Sequence, residues 1–341
     1  MTEPSRRGEG DRMKAIVVAR PGGPEVLELR DVDAPLAGKG EVRVRVHATA
    51  VNRADLLQRR GLYPAPPDSP RDIPGLEFAG EVESLGDGAH DVRVGDKVFG
   101  LAGGGTYAEL VVVPSRTVVP MPPGLSFADA AAVPEAFITA FDALVTQGRL
   151  AAGEDVLISA AGSGVGTAGV QLARAVGARP IGTVRTAAKA ARLRSELGLP
   201  DALVVEGPAY KDAIRERTAG RGVALVLELV GGSYVAEDLE CVAHKGRIVL
   251  VGLVGGARVD MDLGLVLRKR ISLTGTVLRA RSLEEKIVAS QLFAAHVVPL
   301  LARGLVRPVV GATMPLCDAA EAHRLTEAND TFGKVVLTLA Q

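Results

Sequence analysis

The chain has 341 residues, of which 47% are hydrophobic and 23% charged, with 40 acidic side chains balancing 40 basic ones. That length exceeds what one hydrophobic core ordinarily supports, so two compact domains are expected, and the ordinary composition excludes a disordered or fibrous chain. Balanced charge without long runs of one sign gives no footprint for a nucleic-acid or membrane surface and points to a small-molecule partner.

Cys241 and Cys317 stand apart with no Cys-x-x-Cys pair, which supports neither a disulfide framework nor a structural zinc lobe and fits a reducing, cytoplasmic compartment. Residues 1–12 (MTEPSRRGEGDR) are polar, lack the apolar stretch of a signal peptide and read as a disordered leader. No segment offers about 18 uninterrupted apolar residues for a membrane span. With Trp absent and aromatics at 3%, the cores must be built from Val, Leu, Ile and Ala, which suits a buried parallel sheet.

From Met13 the chain reads as short strands with turn punctuation: MKAIVVAR, a turn at Pro21 to Pro24, then VLELRDVD. Val42, Val44 and Val46 alternate with Arg43, Arg45 and His47, the period of a strand with one wet face. Further strands are expected at FAGEVESLG, GDKVFGLA and GTYAELVVV, so a small β barrel or sandwich occupies roughly residues 13 to 130. Beyond Ala136 apolar runs alternate with helix-length segments, the signal of βαβ units. Strands are expected at 155–160, 179–184, 202–205, 224–230, 246–252 and 271–277, enough for a full dinucleotide fold. A helix is expected from Ser282 to Leu301, opening with a capping-box spacing to Glu285. VRPVVGATMPL and GKVVLTL follow as strands outside the βαβ series, returning the chain to its first domain.

After DVLIS comes Ala160-Ala161-Gly162-Ser163-Gly164-Val165-Gly166-Thr167-Ala168-Gly169 and then the helical VQLARAVG. A strand leading through small residues into a helix lets backbone approach a diphosphate at the positive end of the helix dipole. The literal G-x-G-x-x-G runs from Gly164 to Gly169, while the register relative to the strand favours Ala161, Ser163 and Gly166 as the key positions. Ser163 replaces the usual middle glycine, either as a tolerated change or as a side chain contacting the nicotinamide end.

The end of the second strand decides which dinucleotide is bound. An NAD enzyme places Asp or Glu there against the ribose hydroxyls. Here stands Gly182-Thr183-Val184-Arg185-Thr186, with Lys189 and Arg192 following and no acidic residue between Ile181 and Arg194. A guanidinium binds a 2'-phosphate through paired hydrogen bonds, whereas a carboxylate repels it, so NADPH is the expected cofactor.

These features, with VNRADLLQRRGLYP (51–64), PGLEFAGEV (74–82), VPEAFITAFDAL (133–144), SGVGTAGVQLAR (163–174), ELVGGSY (228–234), GRIVLVGLVGG (246–256) and NDTFGKVVL (329–337), make the chain similar to the zinc-independent quinone oxidoreductases of the medium-chain dehydrogenase/reductase superfamily, particularly the stress-inducible quinone reductases. The resemblance covers residues 13–341. It implies a GroES-like β-barrel catalytic domain over 13–135 and 305–341, and a doubly wound parallel-sheet Rossmann domain binding NADPH over 136–304. The zinc ligands of related alcohol dehydrogenases fall on Asn52, Leu76 and Glu135; Leu cannot coordinate, so no metal is expected.

By the same resemblance Asn52 and Tyr63 face the substrate beside the nicotinamide, Thr139 lies near the carboxamide, Gly232, Gly252 and Leu253 line the cofactor cleft, and Lys334 contacts phosphate. Asn52 and Tyr63 also read as hydrogen-bond donors on a loop after a strand. Related bacterial enzymes carry a Tyr near the third strand where this chain has Glu206, with Tyr210 a nearby substitute. The expected catalytic set is Tyr63, Asn52 and Ser163, and the expected cofactor set is Thr139, Ala161, Gly162, Ser163, Gly164, Val165, Gly166, Thr183, Arg185, Lys189, Gly232, Gly252, Leu253 and Lys334. The implied reaction is reduction of small quinones by NADPH. An enone or enoyl reductase is the nearest alternative, and a non-catalytic dinucleotide-binding sensor or structural protein the alternative of another class. The apolar edge strand Ile271 to Val277 is expected to pair with its copy in a homodimer.

Overall fold

The computed structural model describes residues 11–339. They pack as two compact units, one holding 11–134, 312–330 and 335–339, the other 135–311 and 331–334. Residues 135, 305–311 and 331–334, expected above in the first domain, therefore go with the second. The reason is local bonding: Gln171 Oε1 accepts from Arg307 N at 2.9 Å, Gln171 Nε2 donates to Arg307 O at 3.0 Å, and Gly333 N donates to Gly162 O at 2.9 Å. Residues 1–10 of the expected leader lie outside the described residues. Arg12 does not belong to such a leader, because it opens the strand Arg12–Val18, and the preceding Asp11 carbonyl accepts from Ala34 N at 2.8 Å.

In the first unit, strand Arg12–Val18 pairs antiparallel with Leu27–Asp33 across the proline-bounded turn. The long strand Glu41–Ala50 is central to the larger sheet. It pairs antiparallel with Glu77–Leu85 and Leu110–Pro114, and near its end with Lys334–Thr338 through Val336 opposite Ala50. Its valines behave as the alternation requires: Val42, Val44 and Val46 are buried among Phe78, Val98 and Val111, while Arg45 stays exposed. The strand expected from Gly105 begins only at Leu110, because Thr106 and Tyr107 turn inward and Tyr107 O accepts from Ile16 N at 2.8 Å. Several elements of this unit escape the pattern of the sequence. Among them are the strand Val118–Pro120, the helices Phe127–Ala131 and Ala319–Ala328, and the short helix Arg53–Arg59, which stands where a loop is expected.

In the second unit six parallel strands lie in the order Ala202–Val204, Arg179–Val184, Asp155–Ile158, Val223–Glu228, Val242–Leu250, Ser272–Gly275. In chain order that is 3-2-1-4-5-6, the doubly wound dinucleotide-binding arrangement. Leu157, Val226 and Ile248 are wholly buried at its centre, as the continuous apolar runs predict for strands covered on both faces. The outermost strand, Ser272–Gly275, has all four residues exposed.

The capping box at Ser282 forms as expected, with Glu285 N donating to Ser282 Oγ and Ser282 N to Glu285 Oε2. The expected single helix nevertheless divides into Leu283–His296 and Val298–Ala302, since Pro299 has no N–H to continue the ladder. Leu283–Ala302 is long and apolar enough to cross a membrane by length and composition alone. Its Ile287, Ala289 and Phe293 are buried, which is also the pattern of a core helix.

Candidate active site

The loop after strand Asp155–Ile158 turns at Ala160, which takes a left-handed φ of +45°, and enters the helix Gly164–Val176. Ser163 is the N-cap, its Oγ accepting from Gly166 N at 3.1 Å. Ala161 N donates to Thr183 O at 2.9 Å, tying the loop to the neighbouring strand, where Thr183 is buried. A Cβ on Gly166 would collide with Ala160 O and stand 2.7 Å from Ala161 Cα. One on Gly169 would meet only the apolar side chains of Leu227 and Ile158. The close approach of helix to loop thus belongs to Gly166, which favours the register of Ala161, Ser163 and Gly166. Gly164 and Val165 form the first turn, partly open to solvent. The cap hydrogen bond engages the Ser163 oxygen as an acceptor within the helix start.

Two lysine chains converge on this mouth. A Cβ on Gly162 would lie 3.3 Å from Lys189 Cδ, and one on Gly164 would overlap Lys334 Cδ and stand 3.0 Å from its Cγ. Lys334 is held there because Gly333, at φ +83°, bonds to Gly162 O and lies against Val309 O, where no Cβ would fit. Lys189 follows Thr186, whose Oγ1 caps the helix Ala187–Leu197 by accepting Lys189 N at 3.3 Å. Arg185 is exposed directly after the strand. Arg192, grouped with these cations by sequence, is otherwise engaged: its guanidinium lies 4.3 Å from the Phe332 ring centroid and pairs with Glu196 at 2.5 Å. The small-residue cradle, the helix N-terminus and the cations together suit a dinucleotide diphosphate.

Tyr210 does not stand in for the family tyrosine near the adenosine phosphate. Its side chain is buried and donates from Oη to Asp238 Oδ1 at 2.7 Å, while Glu206 is exposed. Asp238 in turn is a close neighbour of Glu228, whose Oε1 accepts from Val230 N and from Gly231 N at 2.7 Å. That carboxyl shapes the turn carrying Gly231 and Gly232. Here backbone packs on backbone: a Cβ on Gly232 or Gly252 would overlap Gly255 O or Leu229 O. Leu253 beside them is exposed, and Thr139 is buried in the helix Pro134–Phe141. Sequence alone assigns Glu228 no role; the available signal is its place at the end of strand Val223–Glu228, shortly before Gly231 and Gly232.

In the first unit, Asn52 caps the helix Arg53–Arg59. Its Nδ2 donates to Glu77 Oε1 at 2.8 Å and to Ala50 O at 3.2 Å, and its backbone N–H to Asp55 Oδ2 at 2.8 Å. The opposite amide orientation would set Oδ1 against a carboxylate and a carbonyl, so this one is imposed. Both Nδ2 hydrogens are therefore committed within the protein, and the side-chain oxygen serves the capping box with the Asp55 backbone. Tyr63 lies half-buried in the loop after this helix. Glu77 and Asp55 are fully buried and were not singled out by sequence reasoning, although the Asn52-x-x-Asp55 spacing is that of a capping box. The donor set does not suit zinc. Leu76 is buried and has no ligand atom, and Asn52 directs its N–H groups at Glu77 and Ala50.

Residues 38–123 match the family model of the alcohol dehydrogenase GroES-like domain, and residues 164–294 that of the zinc-binding dehydrogenases. A quinone oxidoreductase of Pseudomonas aeruginosa is 36% identical over 325 residues, covering 95% of this chain and 99% of that protein. The rat quinone oxidoreductase is 33% identical over 330 residues, covering 96% and 98%. Among solved structures, a quinone oxidoreductase of Pseudomonas syringae pv. Tomato matches with a TM-score of 0.86 at 32% identity, covering 96% of this chain and 99% of that one.

Proposed function

The chain belongs to the quinone oxidoreductase type of the medium-chain dehydrogenase/reductase superfamily, and we propose that it is an NADPH-dependent, metal-free reductase of small quinones. The observation that carries the cofactor choice is the cationic end of strand Arg179–Val184, where Arg185 and Lys189 stand in place of a carboxylate. The loop amides from Gly162 to Gly166 would bind the diphosphate, Lys334 a phosphate oxygen, and Arg185 and Lys189 the adenosine 2'-phosphate. Thr139, Gly232, Gly252 and Leu253 would line the nicotinamide end.

The reduced nicotinamide supplies the hydride when bound, so the protein's tasks are to orient, to exclude water and to place one proton. Asn52 offers its amide oxygen as an orienting acceptor, and Tyr63 Oη donates to the quinone oxygen that gains charge. A quinone's two oxygens can also be protonated by solvent, so no strong acid is needed. Two copies would pair through the exposed edge strand Ser272–Gly275, which carries the exposed apolar Leu273, with exposed Val277 beyond it. The two cysteines are both free thiols, which suits a reducing compartment.

The deciding experiment is steady-state turnover of ortho-quinones, para-quinones and enones with NADPH and with NADH. Quinone-dependent oxidation of NADPH is expected. Turnover of enones alone would assign the protein to the enone and enoyl reductases, and binding without any turnover to a dinucleotide sensor.

A further inference from the structure

A line of polar side chains runs through the first unit that the chemistry above leaves unused. Asp55 and Arg59 on helix Arg53–Arg59, Tyr107, and His323 on helix Ala319–Ala328 are all fully buried. Arg59 Nη1 is 3.2 Å from His323 Nδ1, His323 Nε2 is 3.2 Å from Tyr107 Oη, and Tyr107 Oη is 3.3 Å from Asp55 Oδ2.

The chemistry of each group permits one direction only. A guanidinium has donors and no acceptor, so His323 Nδ1 must accept and the ring proton sits on Nε2. Nε2–H then donates to Tyr107 Oη, and the phenol donates to Asp55. Burial, then the charge of Arg59, pushes His323 down to about 3, which keeps the ring neutral. Burial, then Asp55, raises the tyrosine well above its usual range, which keeps its hydrogen in place.

Asp55 transmits this order to the site. Its Oδ2 accepts Asn52 N at 2.8 Å and its Oδ1 accepts Gly75 N at 3.1 Å, two residues before the Glu77 that grips the Asn52 amide. The other end is anchored, with Arg59 Nη2 on Glu327 Oε1 at 2.5 Å and Nε on Gly22 O at 3.1 Å. A line ending in a group that does not give up its proton orients rather than conducts.

We propose that Asp55, Tyr107, His323 and Arg59 are positioning residues, a hydrogen-bond line of fixed polarity that sets how Asn52 meets the substrate. The inference rests on the reading of Asn52 as substrate-facing.

The test is a double-mutant comparison read as quinone kcat and KM at saturating NADPH, beside the NADPH dissociation constant from fluorescence titration. Tyr107→Phe removes the one hydroxyl joining His323 to Asp55. It should lower kcat/KM for quinone by about ten-fold, the scale of one hydrogen bond to a buried charge, and leave NADPH binding unchanged. In an Asn52→Ala background the same substitution should add nothing, because the line acts through Asn52. His323→Gln, whose amide can both accept and donate, should recover most of what His323→Leu loses.

Additive losses from Tyr107→Phe and Asn52→Ala would overturn the inference and leave the substrate-facing role of Asn52 standing. Unchanged quinone kinetics in Asn52→Ala would remove that role and the inference with it. If Tyr107→Phe fails to fold, the imidazole 15N spectrum of the wild-type protein decides. A neutral Nε2–H tautomer at His323 near neutral pH is expected, and an Nδ1–H tautomer or a charged ring overturns the assignment.

Discussion

Asn52 Nδ2 donates to the buried carboxylate of Glu77 over 2.8 Å, and this bond fixes the amide's orientation and so, under the proposed function, the end that a substrate would meet. Glu77→Gln removes the charge that imposes the orientation, because a glutamine can face Asn52 with either end. Quinone kcat/KM should fall by about ten-fold, the order of magnitude of one lost charge-assisted hydrogen bond, while NADPH affinity holds. Parallel measurements of both constants check it, and equal losses in the two would assign Glu77 to general stability instead.

Arg185 stands exposed where a ribose-binding carboxylate would discriminate against NADPH. Arg185→Glu places a negative charge against the 2'-phosphate. The Michaelis constant for NADPH should rise by at least about ten-fold while that for NADH changes little. Steady-state kinetics with both cofactors decides the matter, and equal changes would refute the assignment.

Ser163 closes the first turn of the phosphate helix through Gly166 N. Ser163→Ala should cost on the order of 1 kcal/mol in unfolding free energy, the usual worth of an N-cap, and leave turnover within about two-fold. Denaturant titration and kcat measure the two effects. A collapse of kcat with stability retained would restore Ser163 to the reacting groups.

Burial, then the neighbouring Glu228, raises the Asp238 carboxyl well above the ordinary carboxylate range. Among the described residues Glu228 Oε2 and Asp238 Oδ2 are buried without a hydrogen-bond partner, so a proton held by Asp238 relieves the repulsion from its neighbour. The folded protein keeps that proton where an unfolded chain has released it. Asp238 therefore contributes stability fully below the usual Asp pKa and loses it as pH rises through the elevated value. Asp238→Asn keeps an acceptor for Tyr210 and cannot ionise, so between about pH 5 and about pH 9 its Tm should fall less than that of the parent. Thermal melts across that range give the answer.

The exposed strand Ser272–Gly275 carries Leu273 toward solvent, with Val277 beyond it. Lysines at both positions should block edge-to-edge pairing and halve the mass seen by light scattering, with the dinucleotide affinity intact. An unchanged mass would place the interface elsewhere or show that there is none.

The six parallel strands are legible because each is a short apolar run bounded by Gly, Pro or charge, and Arg179–Val184 emerges at its expected ends. The phosphate loop is legible for a related reason: small residues between a strand and a helix leave few other uses. Helix Arg53–Arg59 is hidden because fewer than two turns develop no apolar period, and only the Asn52-x-x-Asp55 spacing announces it. The meeting of Tyr107 with His323 has no local signal at all, since it depends on two segments far apart in sequence being folded together. Arg192 shows the opposite error. Charge and spacing suggested a phosphate ligand, but an aromatic face and a glutamate one turn away claim its guanidinium.

Gly333 and Lys334 complete a cradle whose other members lie in the segment from Gly162 to Lys189. A nascent polypeptide therefore completes this cradle only when its late residues have been made. If the dinucleotide binds there as proposed, its binding would add to the hold between two stretches of chain distant in sequence, and depletion of the ligand would loosen that join.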